Sequence, residues 1–327
     1  MDSLSSLNTS VVLEENYPRI FTIVSSTDIK KLITFIFYFV VIIVAVIGNS
    51  LVLYVTLRKR RRNAIEISIA SMAVSDLLFA ATQPLRLLRF FTINWILGKS
   101  LCKIGYYLFS VSVYVSTFTM VFIAIDRHLI IKKPFQNNLS HASRRKNVVF
   151  VILIWLMAGI LSLPFAYFAN VINNGDVNAC LPFPVPGQMQ LIIYVFLIIV
   201  QFAIPITITS ILYCIICYYI LRQENIGQVS EPQQSGIIAS RKRTIKMLIL
   251  ILLAFVICWL PFYSVLLVNA YYTTFNTASN EGINVNIKLI SKLMSSTSIC
   301  FNPFIYSWFN SEFWFEVKKL MRCICCK

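Results

Sequence analysis

Residues 99–131 read KSLCKIGYYLFSVSVYVSTFTMVFIAIDRHLII. Leu, Ile, Val and Phe are mixed along this stretch without strict alternation, so it reads as a helix and not as a barrel strand. At 1.5 Å per residue it can cross about 30 Å of hydrocarbon. Cys102 and Arg127 lie 25 residues apart, about 37 Å along a helix. One therefore sits at each membrane face.

Six further apolar stretches match it, at roughly 32–57, 65–92, 147–169, 188–221, 243–271 and 286–309. The fold class expected is an all-α membrane protein: a seven-transmembrane helix bundle. Composition agrees. The 327 residues are 58% hydrophobic and 13% charged, with mean hydropathy +0.75. Soluble domains average about 45–50% apolar and about 25% charged. That balance excludes intrinsic disorder and an ordinary cytosolic enzyme. A net charge of +16 would suggest nucleic acid in a soluble chain, but the charges sit where a membrane protein puts them. Basic runs follow span 1 (Arg58 to Arg62) and span 3 (Lys132, Lys133, Arg144, Arg145, Lys146). Others flank the loop between spans 5 and 6 (Arg222, Arg241, Lys242, Arg243, Lys246) and follow span 7 (Lys318, Lys319, Arg322, Lys327). Asp2, Glu14, Glu15, Asp28, Asp176 and Glu281 occupy the other side. The positive-inside rule then predicts an extracellular N-terminus and a cytoplasmic C-terminus in the plasma membrane. Residues 1–28 are polar and acidic, so span 1 is expected to act as its own insertion signal.

Three regions follow: an extracellular segment 1–31, the bundle 32–309, and a cytoplasmic amphipathic helix with a Cys-rich tail, 310–327. In 311–322 Phe313, Trp314, Val317 and Leu320 share one face, with Lys318, Lys319 and Arg322 around it. Such a helix lies on the membrane surface. Residues 223–239 form a polar linker.

Catalytic chemistry is not visible. The two histidines, His128 and His141, lie near or beyond the inner end of span 3. No HExxH, GxxxxGK[ST], GxSxG or GxGxxG motif occurs. The chain is read as a non-enzyme, which leaves receptor, transporter and channel.

Several residues discriminate. Cys102 and Cys180 both face the oxidising side, so they either bridge or remain two free thiols. A bridge would pin the 170–187 loop over the mouth of span 3. Cys323, Cys325 and Cys326 are candidate palmitoylation sites. Asn8 is the glycosylation acceptor that the topology exposes, whereas Asn138 stays inside. Arg127 is either an interfacial anchor or a switch that pairs with Asp126 or reaches into the bundle. Asp76 lies inside span 2, where an ionisable group costs several kcal/mol unless paired or solvated. Asn49, Ser116, Ser298 and Asn302 are its candidate partners. Oxygen-rich surroundings with one carboxylate suit a sodium ion bound at Asp76; the alternative is a protonated aspartate in a structural hydrogen-bond network. No other cofactor is expected. Prolines 84, 164, 205, 261 and 303 kink spans 2, 4, 5, 6 and 7.

Together these residues resemble the rhodopsin-like (class A) G-protein-coupled receptors. The likeness rests on Gly48-Asn49-Ser50-Leu51-Val52, Asp76, Trp95, Cys102 with Cys180, Asp126-Arg127-His128, and Trp155. It continues through Pro205 with Tyr213, Phe255, Cys258-Trp259-Leu260-Pro261, Asn302-Pro303-Phe304-Ile305-Tyr306 and Phe313. The resemblance implies a sodium-linked network of Asn49, Asp76, Ser116, Ser298 and Asn302. It implies a transmission switch at Phe255 and Trp259 and a G-protein-facing switch of Arg127, Tyr213 and Tyr306, with Asp126, Pro261 and Pro303 as further activation residues. Two departures stand out. His128 replaces the commoner tyrosine. Ser240-Arg241-Lys242-Arg243 lacks the acid that in many relatives latches Arg127.

Phe109 stands where amine receptors carry an aspartate, which disfavours an amine ligand. Residues 110–117 look like neuropeptide Y/neuropeptide F-type receptors. An extracellular peptide is the expected ligand, with a heterotrimeric G protein, arrestin and membrane lipids as partners and no nucleic acid. Arg86, Arg89, Phe109, Tyr263, Lys288 and Lys292 are the expected pocket residues. The four cations argue for an acidic ligand, unless each snorkels or pairs with Glu281 or Asp176. The alternatives are a receptor for an acidic lipid or small acidic metabolite, or a membrane transporter. A transporter would favour repeated halves and a channel a filter motif; neither is apparent.

Overall fold

The structure is a computed structural model. It describes residues 26–58, 64–91, 95–132, 140–174, 177–225, 232–275, 283–309, 315–319 and 322. Spans 1 to 3 are α1 (Ser26–Arg58), α2 (Ala64–Phe91) and α3 (Gly98–Lys132). Span 4 is α4 (Ser140–Leu161) followed by α5 (Leu163–Phe168). Two strands, β1 (Asn170–Asn174) and β2 (Val177–Leu181), precede span 5. Span 5 is α6 (Gly187–Ile198) and α7 (Ile204–Asn225), joined by a π-helical turn at Ile199–Ala203. Spans 6 and 7 are α8 (Pro232–Phe275) and α9 (Val285–Phe309).

By length and apolar composition alone, six of these spans qualify as membrane crossings among the described residues. The seventh, α9, is 25 residues long and more polar. Its position explains that composition. It packs against α1, α2 and α8 and turns Ser291, Ser295, Ser296 and Asn302 inward. Polar side chains at membrane depth face a bundle interior because lipid offers them no partner. Span 4 is the converse. Val149, Phe150, Leu153, Leu156, Met157 and Ile160 are exposed on its outer face, where lipid tails solvate them.

Close approach of spans needs small residues. A Cβ on Gly48 would meet the Pro303 ring at 2.9 Å, and one on Gly105 would meet Leu85 Cδ1 at 2.9 Å. Two proline effects differ from simple kinks. Span 4 breaks at Ser162, and Pro164 sits in the first turn of α5, where its missing N–H costs nothing. Pro205 offers no N–H to the carbonyl one turn back, and the π turn falls there. Such single π turns accommodate an extra residue and re-aim the side chains around it; Gln201 and Phe202 are buried.

The 170–187 segment has structure of its own. It contains an antiparallel hairpin, with Val171 opposite Cys180, in place of a plain loop. The Trp95 backbone N–H donates to Asn178 O at 2.7 Å and ties the hairpin to the loop between spans 2 and 3. Cys102 and Cys180 are disulfide-bonded, with Cα atoms 5.8 Å apart, so the hairpin is pinned to the N-terminal end of α3. After span 7, residues 315–319 are helical, with Val317 buried and Phe315 exposed. Phe313, Trp314 and Leu320 lie outside the described residues.

Candidate functional site

Three layers stack along the bundle axis. In the outer layer, Gln83 on α2 and Ser296 on α9 are joined by a bond from Ser296 Oγ to Gln83 Oε1 at 3.1 Å. Arg86 and Lys292 lie one helical turn outward from these two residues, so the bond sets them across from each other. The Arg86 guanidinium lies 4.8 Å from the Phe109 ring centre and 5.9 Å from that of Phe79. Arg89 lies over Tyr106 at 5.2 Å. Lys292 is within electrostatic reach of Arg86, Arg89 and Lys288. The four cations therefore lie close enough to repel one another.

Tyr263 is buried, at 3% exposure, and belongs to the floor of this layer. Its hydroxyl donates to Gln201 Oε1 at 2.8 Å, and Gln201 Nε2 donates to Ser110 O at 3.4 Å. Ser162 Oγ in turn donates to Ser110 Oγ at 3.0 Å. Spans 3, 4, 5 and 6 are thus joined through one polar chain. Gln201 was not singled out in the sequence; a lone amide within the apolar run of span 5 was its only signal.

The middle layer centres on Trp259, 2% exposed. Its ring meets those of Phe79, Phe109, Phe255, Phe262 and Tyr263, all with centres within 6.0 Å. Beneath it is a cavity of about 20 Å³ lined by Asp76, Ser112, Ser116, Ser298 and Asn302, with Met72, Phe79, Phe255 and Trp259 among its apolar walls. Asn302 Nδ2 donates to Asp76 Oδ2 at 2.8 Å. Four of the five expected network residues line this space. Asn49 does not. It donates to Ala45 O and Ile299 O, both at 3.0 Å, and so fastens span 1 to span 7. Ser112 joins the set in its place. It precedes Ser116 by one helical turn, a spacing visible in the sequence. The donors are all oxygen and include one carboxylate, which fits a small hard cation. A space of this size holds about one water or ion.

In the inner layer Arg127 donates from Nε to Asp126 Oδ2 at 3.1 Å, and from Nη2 to the same oxygen. Tyr213 lies within electrostatic reach of Arg127. Tyr306 is buried, and its hydroxyl faces Met72 Sδ at 3.5 Å. Among the described residues Arg127 makes no bond to α8. Arg243 of α8 instead reaches Trp308 O at 3.5 Å.

A family model described as 7 transmembrane receptor (rhodopsin family) matches residues 48–306. The chain belongs to this family. It is a receptor and not an enzyme. Bombesin receptor subtype-3 of Ovis aries is 28% identical over 90% of this chain and 75% of that protein. A bombesin receptor of Bombina orientalis is also 28% identical, over 99% of this chain and 83% of that protein. Both relatives are named for bombesin, not for neuropeptide Y or F, so they bear on peptide receptors broadly.

The receptor's Trp155 donates to Ser71 Oγ at 3.1 Å, bracing span 4 on span 2. Cys258 Sγ lies 3.5 Å from Thr297 Oγ1, joining spans 6 and 7 beside Pro261. Pro303 packs against Gly48. Asn8, Asn138, Asp176, Glu281, Cys323, Cys325 and Cys326 lie outside the described residues.

Proposed function

We propose that this receptor sits in the plasma membrane with its N-terminus outside, binds an extracellular peptide, and activates a heterotrimeric G protein. The observation that carries this is the aromatic path from Phe109 at the outer layer, through Trp259, to Phe255. A ligand that moves Phe109 acts on Trp259, and Trp259 sits beside Pro261, where α8 can pivot. The bombesin-receptor relatives favour a peptide over a lipid. Asp76, Ser112, Ser116, Ser298 and Asn302 would hold a sodium ion, which supplies positive charge between spans 2, 3 and 7. Arrestin and membrane lipids are proposed partners, the lipids through the basic surface helix and acylation of Cys323, Cys325 or Cys326.

Nucleotide exchange tests the reading. Membranes holding the receptor should release GDP from at least one class of heterotrimeric G protein faster than empty membranes. This basal rate follows from the missing latch, since among the described residues Arg127 pairs only within its own helix. Restoring an acid by Arg241→Glu should lower the basal rate by up to about fivefold, the equivalent of about 1 kcal/mol for an exposed pair. No release with any G-protein class would count against the receptor reading. An unchanged basal rate in Arg241→Glu would show that the latch does not matter here.

Orientation is read separately. Glycosidase should shift the wild-type band on a gel and leave Asn8→Gln unshifted. A glycan on Asn138 would invert the proposed topology.

A further inference from the structure

We propose that Arg86 and Lys292 form a carboxylate site, and that a carboxylate seated there acts directly on Trp259 through Phe109. This rests on the peptide-receptor reading and specifies which ligand group the pocket takes.

Arg86 Nη1 is buried and has no hydrogen-bond partner. A guanidinium has five N–H donors and no acceptor, and a buried donor left unmade is costly. The faces of Phe79 and Phe109 hold the cation but leave that edge unpaired. Lys292 lies across from it, above the Gln83–Ser296 bond. Its charge adds to those of Arg86, Arg89 and Lys288. Among the described residues no acidic side chain is bonded to any of these four. Like charges held together without an anion repel one another, and an anion between Arg86 and Lys292 relieves that repulsion. A planar carboxylate matches the geometry: one oxygen on the guanidinium edge, the other on the ammonium.

The site is coupled to the switch by one ring. Phe109 carries the Arg86 guanidinium on its face and lies 6.0 Å from Trp259. A carboxylate on that edge neutralises charge that otherwise draws the ring faces to the cation, so its arrival weakens the hold of Arg86 on Phe109 and leaves that ring freer to move against Trp259. A peptide can supply the group from its C-terminus or from an acidic side chain.

The test uses the purified full-length receptor with three pools of synthetic hexapeptides made from uncharged residues. One pool has free C-terminal carboxylates, one is C-terminally amidated, and one is amidated with a single internal glutamate. Inorganic phosphate is the fourth probe. Thermal unfolding reads binding, and GDP release from a G protein reads signalling. At least one carboxylate pool should raise the unfolding midpoint, and whichever pool does so identifies the source of the group. Arg86→Gln and Lys292→Gln should each require about 30-fold more peptide for the same rise. Arg86→Lys, which keeps the charge, should require less of an increase. Its unliganded midpoint, with those of both glutamine variants, checks that the fold is retained. An equal rise with the neutral amidated pool overturns the proposal, as does a full rise with phosphate alone or no rise with either carboxylate pool. A carboxylate-dependent rise without GDP release from any G protein would leave the carboxylate site standing, overturn its action on Trp259 and count against the G-protein reading. GDP release driven by the neutral pool would overturn the site and leave the G-protein reading standing.

Discussion

Cys102→Ser should cost the folded receptor about 2–4 kcal/mol, among the largest losses expected from a single substitution. The bridge closes a separation of 78 residues. In a soluble chain a loop that long would gain about 4–5 kcal/mol from closure. Here spans 3 and 4 stay anchored in the bilayer when the bundle loosens, so part of that entropy is already gone. The lower range follows. The structural loss is local first. Cys180 sits on β2, its carbonyl accepts a 3.5 Å bond from Tyr106 Oη, and Asn178 O holds Trp95. Without the bridge the hairpin keeps its own five-residue strands and these two bonds, and a two-stranded hairpin is marginal by itself. Thermal unfolding of purified receptor measures the effect, and Cys180→Ser and the double variant should match the single one. A double loss near the sum of the two single losses would mean that the thiols act independently of the bridge.

Spans 1 to 6 were legible because lipid enforces one rule: about 20 apolar residues for each crossing. Span 7 was legible in spite of Lys288 and Lys292. Its apolar positions still reach 309, and its serines are spent inside the bundle. What escaped the sequence is what no window of hydropathy records. The hairpin depends on two short strands after span 4; Asn174-Gly175 is a turn signal, but a short signal within an outer loop. The π turn changes which residues of span 5 face inward, and a regular helical count cannot show that. So Gln201, which joins Tyr263 to Ser110, had no stated role. The polar cavity was half legible. Asp76 announced itself by its charge, and Asn302, Ser116 and Ser298 by their depth. Asn49 shares that depth, yet it donates to the Ile299 carbonyl and lies away from the cavity, because spans 1 and 7 close tightly around Gly48 and Pro303. The four outer cations were legible as pairs one turn apart on two spans. Only the Gln83–Ser296 bond shows that the pairs face each other.

Asp76→Asn should abolish the sodium dependence of basal signalling. The carboxylate is 3% exposed and bonded to Asn302, and the cavity beside it offers three hydroxyls. Asparagine keeps the size and one oxygen of the side chain, so the bond from Asn302 survives. What goes is the negative charge, without which a hard cation has no reason to leave water. A ligand that prefers one arrangement of the bundle shifts the equilibrium only by its differential affinity, and coupling between sites is typically about 1–3 kcal/mol, or about 5–150-fold. Sodium bound among spans 2, 3 and 7 would hold Asp76 and Asn302 together and so oppose rearrangement around Pro303. In the wild type, replacing potassium by sodium at constant ionic strength should therefore lower basal GDP release by about fivefold or more. Constant ionic strength matters because general screening would act on Arg127 and Arg241 alike. In Asp76→Asn the two salts should give the same rate, and Ser116→Ala and Ser298→Ala should fall between. If the wild type is equally indifferent to the two salts, the carboxylate serves the hydrogen bond to Asn302 alone. Asp76→Asn should then leave signalling near its wild-type level, because the new amide can still accept that bond.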